Sequence, residues 1–214
     1  MKRHTLFLLF FTLSLSVFAQ KPTVYLFPEF TKGTVYLKNF TRTTLPMNYD
    51  AANKKLYYQQ DGVMMELEDN ANVDSLVIGG RLFIPYRQRF LEYVSLADNH
   101  SLLVDWNLIE KYTGLRQGTG LNPHSIANVQ AVNVGALYAR QPDGEVDNNI
   151  IVTASNNEYT FIYHDKRITF TNRKSLLKRL PAHKEEVKAF LDSHHLGPDN
   201  LDEAVQVVEY FFSL

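Results

Sequence analysis

The chain has 214 residues, no cysteine and a formal net charge of −1 at pH 7, and 45% of its residues are hydrophobic. The lack of cysteine excludes disulfide bonds and thiolate metal ligands, and the nearly neutral charge gives no overall attraction to nucleic acid. A chain of this length and apolar content forms one domain whose core needs no covalent cross-link.

The first 19 residues have the three parts of a secretory signal peptide. Residues 2–4 are basic, residues 6–17 are apolar or carry hydroxyl groups, and Ala19 supplies the small side chain that precedes a cleavage point. The apolar run is shorter than the about 20 residues of a transmembrane helix. We therefore expect an exported protein, periplasmic or extracellular, with no transmembrane segment once the signal peptide is removed; an uncleaved N-terminal anchor is the alternative.

The mature chain opens with residues typical of β-strands. Residues 23–26 and 34–37 both read TVYL, and Pro28 and Gly33 lie between them. Because β-branched and aromatic residues bounded by turn formers favour strands, the two tetrapeptides are predicted to pair as a hairpin.

The clearest hairpin signal surrounds Asp61 and Gly62. An Asp-Gly pair adopts the positive φ angles of a tight turn, and here it joins the strand-like runs 56–58 and 63–67. In the second run every other residue, starting at 63, lies on one apolar face. This alternation predicts a strand with one buried face.

Short strand-like runs continue to residue 170 and are separated by residue pairs that favour turns. The turn pairs are Gly79-Gly80, Asp98-Asn99, Asn156-Asn157 and Asp165-Lys166, and the runs are 73–78, 81–84, 90–96, 101–104, 132–138, 150–153, 159–163 and 168–170. Short strands with near-neighbour turns predict an antiparallel meander that either curls into an open barrel or stacks as two sheets.

After Asn172 the spacing of apolar residues becomes that of helices. Asn172 is an N-cap before a short helix, and residues 183–195 repeat the helical pattern before a stop at Gly197. Asn200 and Glu203 resemble a capping box that opens a third helix. The predicted fold class is therefore α+β: a mainly antiparallel β meander, as a curled sheet or open barrel, with C-terminal helices packed on it.

We predict one domain, residues 20–214, after the signal peptide at 1–19. No stretch rich in Pro, Gly and Ser separates the mainly β part, residues 20–171, from the helical part, residues 172–214. The helices are therefore expected to pack on the sheet rather than to form a domain of their own.

Several short motifs resemble those of a family of uncharacterised exported proteins of Bacteroidota. The matching motifs are LPMNYD at 45–50, the hairpin sequence at 55–62, VIGGRLF at 77–83, FLE at 90–92, a Gly-rich middle segment and KEEVK at 184–188. The resemblance covers most of the mature chain and implies export and a shared fold. It implies no activity, because these motifs are structural rather than catalytic.

Residues 106–125, which include the Gly-rich segment TGLRQGTGLNPHS that starts at Thr113, are the predicted binding region. Long irregular connections in a small domain are often functional. The predicted binding residues combine flat aromatic surface with a planar cation and an imidazole, and they are Trp106, Tyr112, Arg116 and His124. An envelope glycan, a peptide or a partner protein would suit this set. The alternative is that Trp106 fills the core, Tyr112 packs on a short helix at 107–112, and the segment is a simple connection.

Other site signals fail on spacing. The glycines are not followed by Lys-Ser/Thr and a helix, so they do not form a phosphate-binding loop. His183 and His194 would lie about 16 Å apart along a helix, too far for one metal ion, and His194 fits the last helical turn, where cations are favoured. The acidic run at 143–149 lacks the order of a calcium loop, and no nucleophile elbow is present. We predict no cofactor, no metal and no catalytic residue.

Two function classes follow. The favoured one is an exported, non-catalytic binding or interaction module, and the alternative is a small cell-envelope hydrolase acting on glycan or peptide, with a carboxylate or His124 as its base. The basic residues between Arg167 and Lys184 lack the interleaved aromatic residues of a nucleic-acid reader, and we expect a solvated helix face there. Exposed aromatic residues would favour binding, whereas two titratable groups with shifted pKa values around one cleft would favour catalysis.

Overall fold

The computed structural model describes residues 23–114 and 149–214, which form two antiparallel β-sheets and three C-terminal helices. The main sheet has ten strands, and its two end strands do not pair with each other, so it is not closed. The predicted α+β fold class is confirmed. The elements are β1 Thr31–Leu37, β2 Arg42–Asp50, β3 Lys55–Gln60, β4 Val63–Glu66, β5 Val73–Ile78, β6 Arg81–Tyr86, β7 Arg89–Ser95, β8 Ser101–Asp105, β9 Leu108–Gly114, β10 Asn149–Ser155, β11 Glu158–Tyr163, β12 Lys166–Phe170, α1 Arg173–Arg179, α2 Lys184–Ser193 and α3 Leu201–Phe212.

The main sheet consists of two four-stranded meanders, β1 to β4 and β5 to β8, joined by the pairing of β1 with β5. The hairpin of β11 and β12 extends the second meander, because β11 pairs with β8. The strand order is therefore β12-β11-β8-β7-β6-β5-β1-β2-β3-β4. Gly33 is needed in β1, since a Cβ there would lie 2.6 Å from Sδ and 3.1 Å from Cβ of the buried Met47.

A contact between Tyr86 and Arg167 shows that the sheet curls. Tyr86 ends β6, and Arg167 lies in β12, four positions away along the sheet. Neighbouring strands lie about 4.8 Å apart, so a flat sheet would separate the two backbones by about 19 Å. Arg167 Nη1 nevertheless donates to the Tyr86 hydroxyl at 3.1 Å. Strands β6, β7, β8, β11 and β12 therefore bend so that β6 and β12 approach each other.

The second sheet is a two-stranded arm formed by β9 and β10. It continues the hairpin of β8 and β11. The pairing of those two strands ends at Asp105, and the pairing of β9 with β10 begins at Leu108 and runs to Gly114. Between the two pairings, the Asn156 amide donates to the Asn107 carbonyl oxygen at 2.8 Å. The arm is thus the far part of one long hairpin.

The predicted pairing of residues 23–26 with 34–37 is wrong. Tyr25 instead forms an isolated bridge to Asp50, and β1 pairs with β2 and β5. The Asp50 carboxylate explains the difference, because it is fully buried and accepts a hydrogen bond from the backbone N–H of Val24 at 3.2 Å. A side chain that is distant in sequence thus holds the first segment against the end of β2.

The predicted hairpin around Asp61 and Gly62 is confirmed as β3 and β4, but β4 does not have the predicted buried face. Val63, Met64 and Met65 are 55%, 55% and 41% exposed. β4 is the last strand of the sheet and is four residues long. Alternation predicts a strand, but burial depends on what packs against it, and that information is not local.

Two apolar clusters form the core, and Trp106 packs against both. The helical cluster lies between the three helices and strands β8, β11 and β12, and the sheet cluster lies among β1 to β3 and β5 to β7. Each large side chain buried in them contributes about 1.5–3 kcal/mol. The largest fully buried side chains are Tyr49, Tyr159, Phe83, Phe161, Phe170, Met47, Leu56, Leu76, Ile78, Leu102, Leu176 and Leu191.

The helices begin where the sequence predicts. The Asn172 side chain accepts a hydrogen bond from the Ser175 amide at 3.0 Å and caps α1, and Asn200 accepts one from the Glu203 amide at 3.0 Å and caps α3. The Glu203 carboxylate does not complete the predicted capping box. It accepts from the Gly197 N–H at 2.8 Å, and so fixes the connection between α2 and α3.

Tyr159 makes the stability of the fold sensitive to alkaline pH. Its ring is fully buried, its hydroxyl donates to the Asp199 carbonyl oxygen at 3.3 Å, and burial raises its pKa from 10.0 to about 12. The folded state holds the phenolic proton more tightly than the unfolded state does. This stabilisation is therefore complete below pH 10 and is lost as the pH rises toward 12.

We expect Tyr159→Phe to flatten the fall in the free energy of unfolding between pH 10 and 12. A difference of two pKa units corresponds to about 2.7 kcal/mol. Urea denaturation at each pH measures the slope. Tyr36→Phe, which removes a partly exposed phenol, is the control. An equal change in both variants, or none in the first, would contradict the assignment.

Phe40 occupies a turn position that suits a smaller residue. It lies between β1 and β2 with a φ of 64° and is fully exposed. Left-handed backbone costs a residue of this kind about 1–2 kcal/mol, and Asn tolerates it better. We expect Phe40→Asn to raise the free energy of unfolding by about 1 kcal/mol in urea titrations. Phe40→Ala removes the ring but keeps an ordinary Cβ, so it should gain much less; a loss of stability in the Asn variant would refute the idea.

Candidate functional site: a cavity at the base of the arm

A cavity of about 640 Å³ lies at the base of the arm. Trp106 and Leu108 line it where the chain enters the arm, Ser155 and Asn157 line it where the chain returns, and Arg81 reaches it from β6. The remaining lining residues come from the N-terminal segment and the start of α3, and they are Val24, Tyr25, Leu26, Asn200, Leu201, Asp202 and Glu203. Separate parts of the chain must therefore come together before the cavity exists.

A buried carboxylate holds the Trp106 ring in one orientation. The indole Nε1 donates to Glu92 Oε2 at 2.6 Å, and Glu92 is only 4% exposed. Arg81 donates to the same carboxylate through Nε, at 2.6 Å, and through Nη2, and its guanidinium carbon lies 4.9 Å from the centroid of the Trp106 ring. Two-point pairing and stacking on an aromatic ring are the contacts that a guanidinium group makes best. The ring is thus a fixed wall of the cavity.

A second charged group fixes the backbone at Trp106. Lys54 Nζ donates to the carbonyl oxygen of Trp106 and, at 2.9 Å, to Asp105 Oδ1. Asp105 Oδ2 pairs with Arg89 Nη2 at 2.9 Å. Lys54 lies in the connection between β2 and β3, and Arg89 begins β7. The entry to the arm is therefore tied to both meanders of the main sheet.

The start of α3 gives the cavity acceptor oxygens. Asp202 is exposed there, and the Glu203 carboxylate accepts from the Gly197 N–H. Negative side chains are favoured in the first turn of a helix because the backbone dipole is positive at that end. This wall therefore complements ligand groups that donate hydrogen bonds.

Tyr25 adds a neutral phenol to the lining. Burial and, to a smaller extent, the Asp50 carboxylate raise its pKa above 10.0, so the hydroxyl stays protonated at neutral pH. The ring packs edge-on against Phe30 and Tyr57, with centroids 5.5 Å and 6.1 Å away. The hydroxyl donates to Met64 Sδ at 3.5 Å, so this donor already has a partner at the edge of the lining.

The lining as a whole suits a small polar ligand. It combines an aromatic face, a guanidinium group, carboxylates and side-chain amides with a few apolar residues. Its volume falls within the range of about 300–1,000 Å³ that is typical of ligand sites. Rigid aromatic surface provides contact area, and the polar groups provide orientation.

The structure places one of the four predicted binding residues in the cavity. Trp106 packs against the core, as the alternative interpretation held, and it also lines the cavity, so its role in binding stays a prediction. Tyr112 lies in β9. The short helix considered for residues 107–112 is wrong, because residue 107 leads directly into β9, which pairs with β10. Arg116 and His124 lie outside the described residues.

Arg81, Glu92 and the start of α3 belong to the site but were not predicted from the sequence. Glu92 had a usable signal, because it lies in an apolar strand beside Leu91, and a carboxylate in such a strand needs a partner. The identity of the partners had no local signal. Arg81 lies on the neighbouring strand and Trp106 beyond the next turn, so the fold alone brings the three together.

The described residues contain no group of three His, Cys, Asp or Glu side chains placed to hold a metal ion. His183 precedes α2, and His194 follows its last residue. The His194 ring nitrogen Nδ1 lies 3.0 Å from the Phe190 carbonyl oxygen, at the carboxyl end of the helix where the sequence predicts it.

Comparisons of the chain with protein-family models, with curated proteins and with solved structures find no match. Within residues 23–114 and 149–214, no helix combines the length and the apolar character needed to cross a membrane. The signal peptide predicted at 1–19 and the strand predicted at 132–138 lie outside the described residues.

We expect Trp106→Phe to lower the free energy of unfolding by about 2 kcal/mol, because an aromatic ring remains but a hydrogen bond to a buried carboxylate is lost. Glu92→Gln removes the charge that pairs with Arg81 and should cost about 3 kcal/mol. Since the two changes share one contact, the double variant should cost less than their sum. Urea denaturation followed by circular dichroism measures all four proteins, and strict additivity would contradict the shared contact.

Proposed function

We propose that the protein is an exported, non-catalytic binding module and that its ligand, a unit of envelope glycan or a short peptide, binds in the cavity beside Trp106. The observation that carries the proposal is a tryptophan ring, fixed by Glu92 and Arg81, in the wall of a cavity that also presents carboxylates and amides. Sugars and peptides pair apolar faces with hydrogen-bonding groups, and this lining complements both features.

The proposed location rests on the sequence of residues 1–19 and on the resemblance to exported proteins of Bacteroidota. A chain without disulfide bonds must keep a binding site rigid through packing and paired charges alone. The contacts of Trp106 with Glu92 and Lys54 provide that rigidity at the proposed site.

The alternative, a small envelope hydrolase, is supported only by the two carboxylates in the lining. A carboxylic acid that donates a proton needs a desolvated position that raises its pKa. Asp202 is exposed, and Glu203 already accepts a backbone hydrogen bond. The arrangement therefore favours retention of a ligand over its cleavage.

Trp106 is the only tryptophan in the chain, so its fluorescence reports directly on the proposed site. We expect soluble peptidoglycan fragments to change this emission in a saturable way. Ser155→Tyr introduces a ring at an exposed position of the lining and should weaken the response at least tenfold, which corresponds to about 1.4 kcal/mol. Ser95→Tyr makes the same change at an exposed serine that does not line the cavity, and should respond like the wild type.

Mass spectrometry of the fragments after incubation separates the two function classes. Intact fragments, together with loss of the response in Ser155→Tyr alone, support the binding module. Cleavage by the wild type but not by Ser155→Tyr would replace it with the hydrolase. Equal fluorescence responses in all three proteins would remove the cavity from consideration.

A further inference from the structure

Three arginine side chains surround Tyr86, and none of these four residues lines the cavity beside Trp106. The guanidinium carbons of Arg87, Arg89 and Arg167 lie 5.4, 5.7 and 5.4 Å from the centroid of the Tyr86 ring. Arg167 Nη1 also donates to the Tyr86 hydroxyl at 3.1 Å. The cluster exists because the curl of the sheet brings β12 to the turn between β6 and β7.

The cluster has more positive charge than its described neighbours neutralise. Arg89 pairs with Asp105, whereas Arg87 and Arg167 form no ion pair with any residue that the structure describes. Asp105 also pairs with Lys54, so its single negative charge is shared and the three guanidinium groups keep a net positive charge of at least two. The same excess lowers the pKa of Tyr86, chiefly through the hydrogen bond from Arg167 and then through the charge of Arg87. Guanidinium groups held around one ring repel each other, and their attraction to the aromatic ring offsets that repulsion only in part.

Arg87 has a left-handed backbone conformation that arginine rarely adopts. It occupies the two-residue turn between Tyr86 and Arg89 with a φ of 56°. Turn positions of this kind favour Gly, Asn or Asp, and long side chains are uncommon there. Residues kept in such conformations are concentrated at functional sites. Arg87 is exposed, so its guanidinium group is accessible to a ligand.

From these observations we infer that Tyr86, Arg87, Arg89 and Arg167 form a binding site for a phosphomonoester group. A phosphomonoester carries about −1.5 to −2 charges near pH 7, so it neutralises more of this positive charge than a singly charged group does. Its three terminal oxygens can each accept a charge-assisted hydrogen bond from a guanidinium group, and the Tyr86 ring gives the ligand an apolar neighbour. A sulfate ester or a carboxylate, with one charge, would balance at most half of the positive charge of the cluster.

The phosphate group has two possible sources, a soluble phosphate ester or a lipid headgroup, and the chemistry of recognition is the same for both. Calorimetric titration with glucose 6-phosphate tests the soluble source, and glucose 6-sulfate tests the charge requirement. Flotation with phosphatidylcholine vesicles containing phosphatidic acid tests the lipid source, with phosphatidylglycerol as a phosphodiester control. We expect the wild type to bind at least one phosphomonoester probe and to bind the sulfate ester or the phosphodiester at least tenfold more weakly.

The double variant Arg87→Gln/Arg167→Gln should lose at least tenfold in affinity for the bound probe, because two charge-assisted contacts are removed. Lys174→Gln/Lys178→Gln removes two exposed cations from α1 and has the same effect on total charge, so it should bind as the wild type does. Equal losses in both variants would reveal a general charge effect and overturn the site. So would unchanged affinity in the arginine variant, or no binding of either phosphomonoester probe by the wild type.

Arg87→Gly keeps the test valid if the double variant does not fold. Glycine suits the positive φ at this position, so the melting temperature should stay the same or rise while the affinity falls. A lower melting temperature with unchanged affinity would instead assign Arg87 a purely structural role. Neither outcome depends on the cavity beside Trp106, so the two proposals can fail separately.

Discussion

The carboxylate of Glu92 is the group on which the arrangement of the molecule most depends. It is buried, and a buried carboxylate is tolerated only when its oxygens are paired. Its partners are Arg81 on the neighbouring strand and the indole of Trp106 at the entry to the arm. Because Trp106 also packs against both apolar clusters, this charge fixes the indole ring where the clusters meet, and Lys54 with Asp105 fixes the backbone beside it. The position of the cavity follows from that geometry.

Features that depend on adjacent residues were predictable from the sequence. The turn at Asp61 and Gly62 and the caps at Asn172 and Asn200 are examples, because positive φ angles and free backbone N–H groups at a helix start select particular residue types. The change from alternating to helical spacing after Asn172 was enough to give the α+β class.

Features that depend on distant partners were not predictable in the same way. The first segment pairs beside Asp50, and Val63 is exposed although the pattern of its strand places it on the buried face. The candidate sites show the same limit. Trp106 was predicted as a binding residue because it is an aromatic residue beside a long connection. Arg81 and the start of α3 join it only through the fold. At the second site, Arg167 reaches Tyr86 only through the curl of the sheet.

The arm has a consequence for how a protein of this kind can diversify. Gly114 lies opposite Asn149 at the far end of the arm, so the two ends of the segment 115–148 are joined side by side by β9 and β10. The pairing of β9 with β10 holds this register as far as that end of the arm. Insertions, deletions or exchange of that segment would therefore leave the register of the main sheet intact. The sheets and helices can therefore stay the same in related proteins while the sequence and length of residues 115–148 vary.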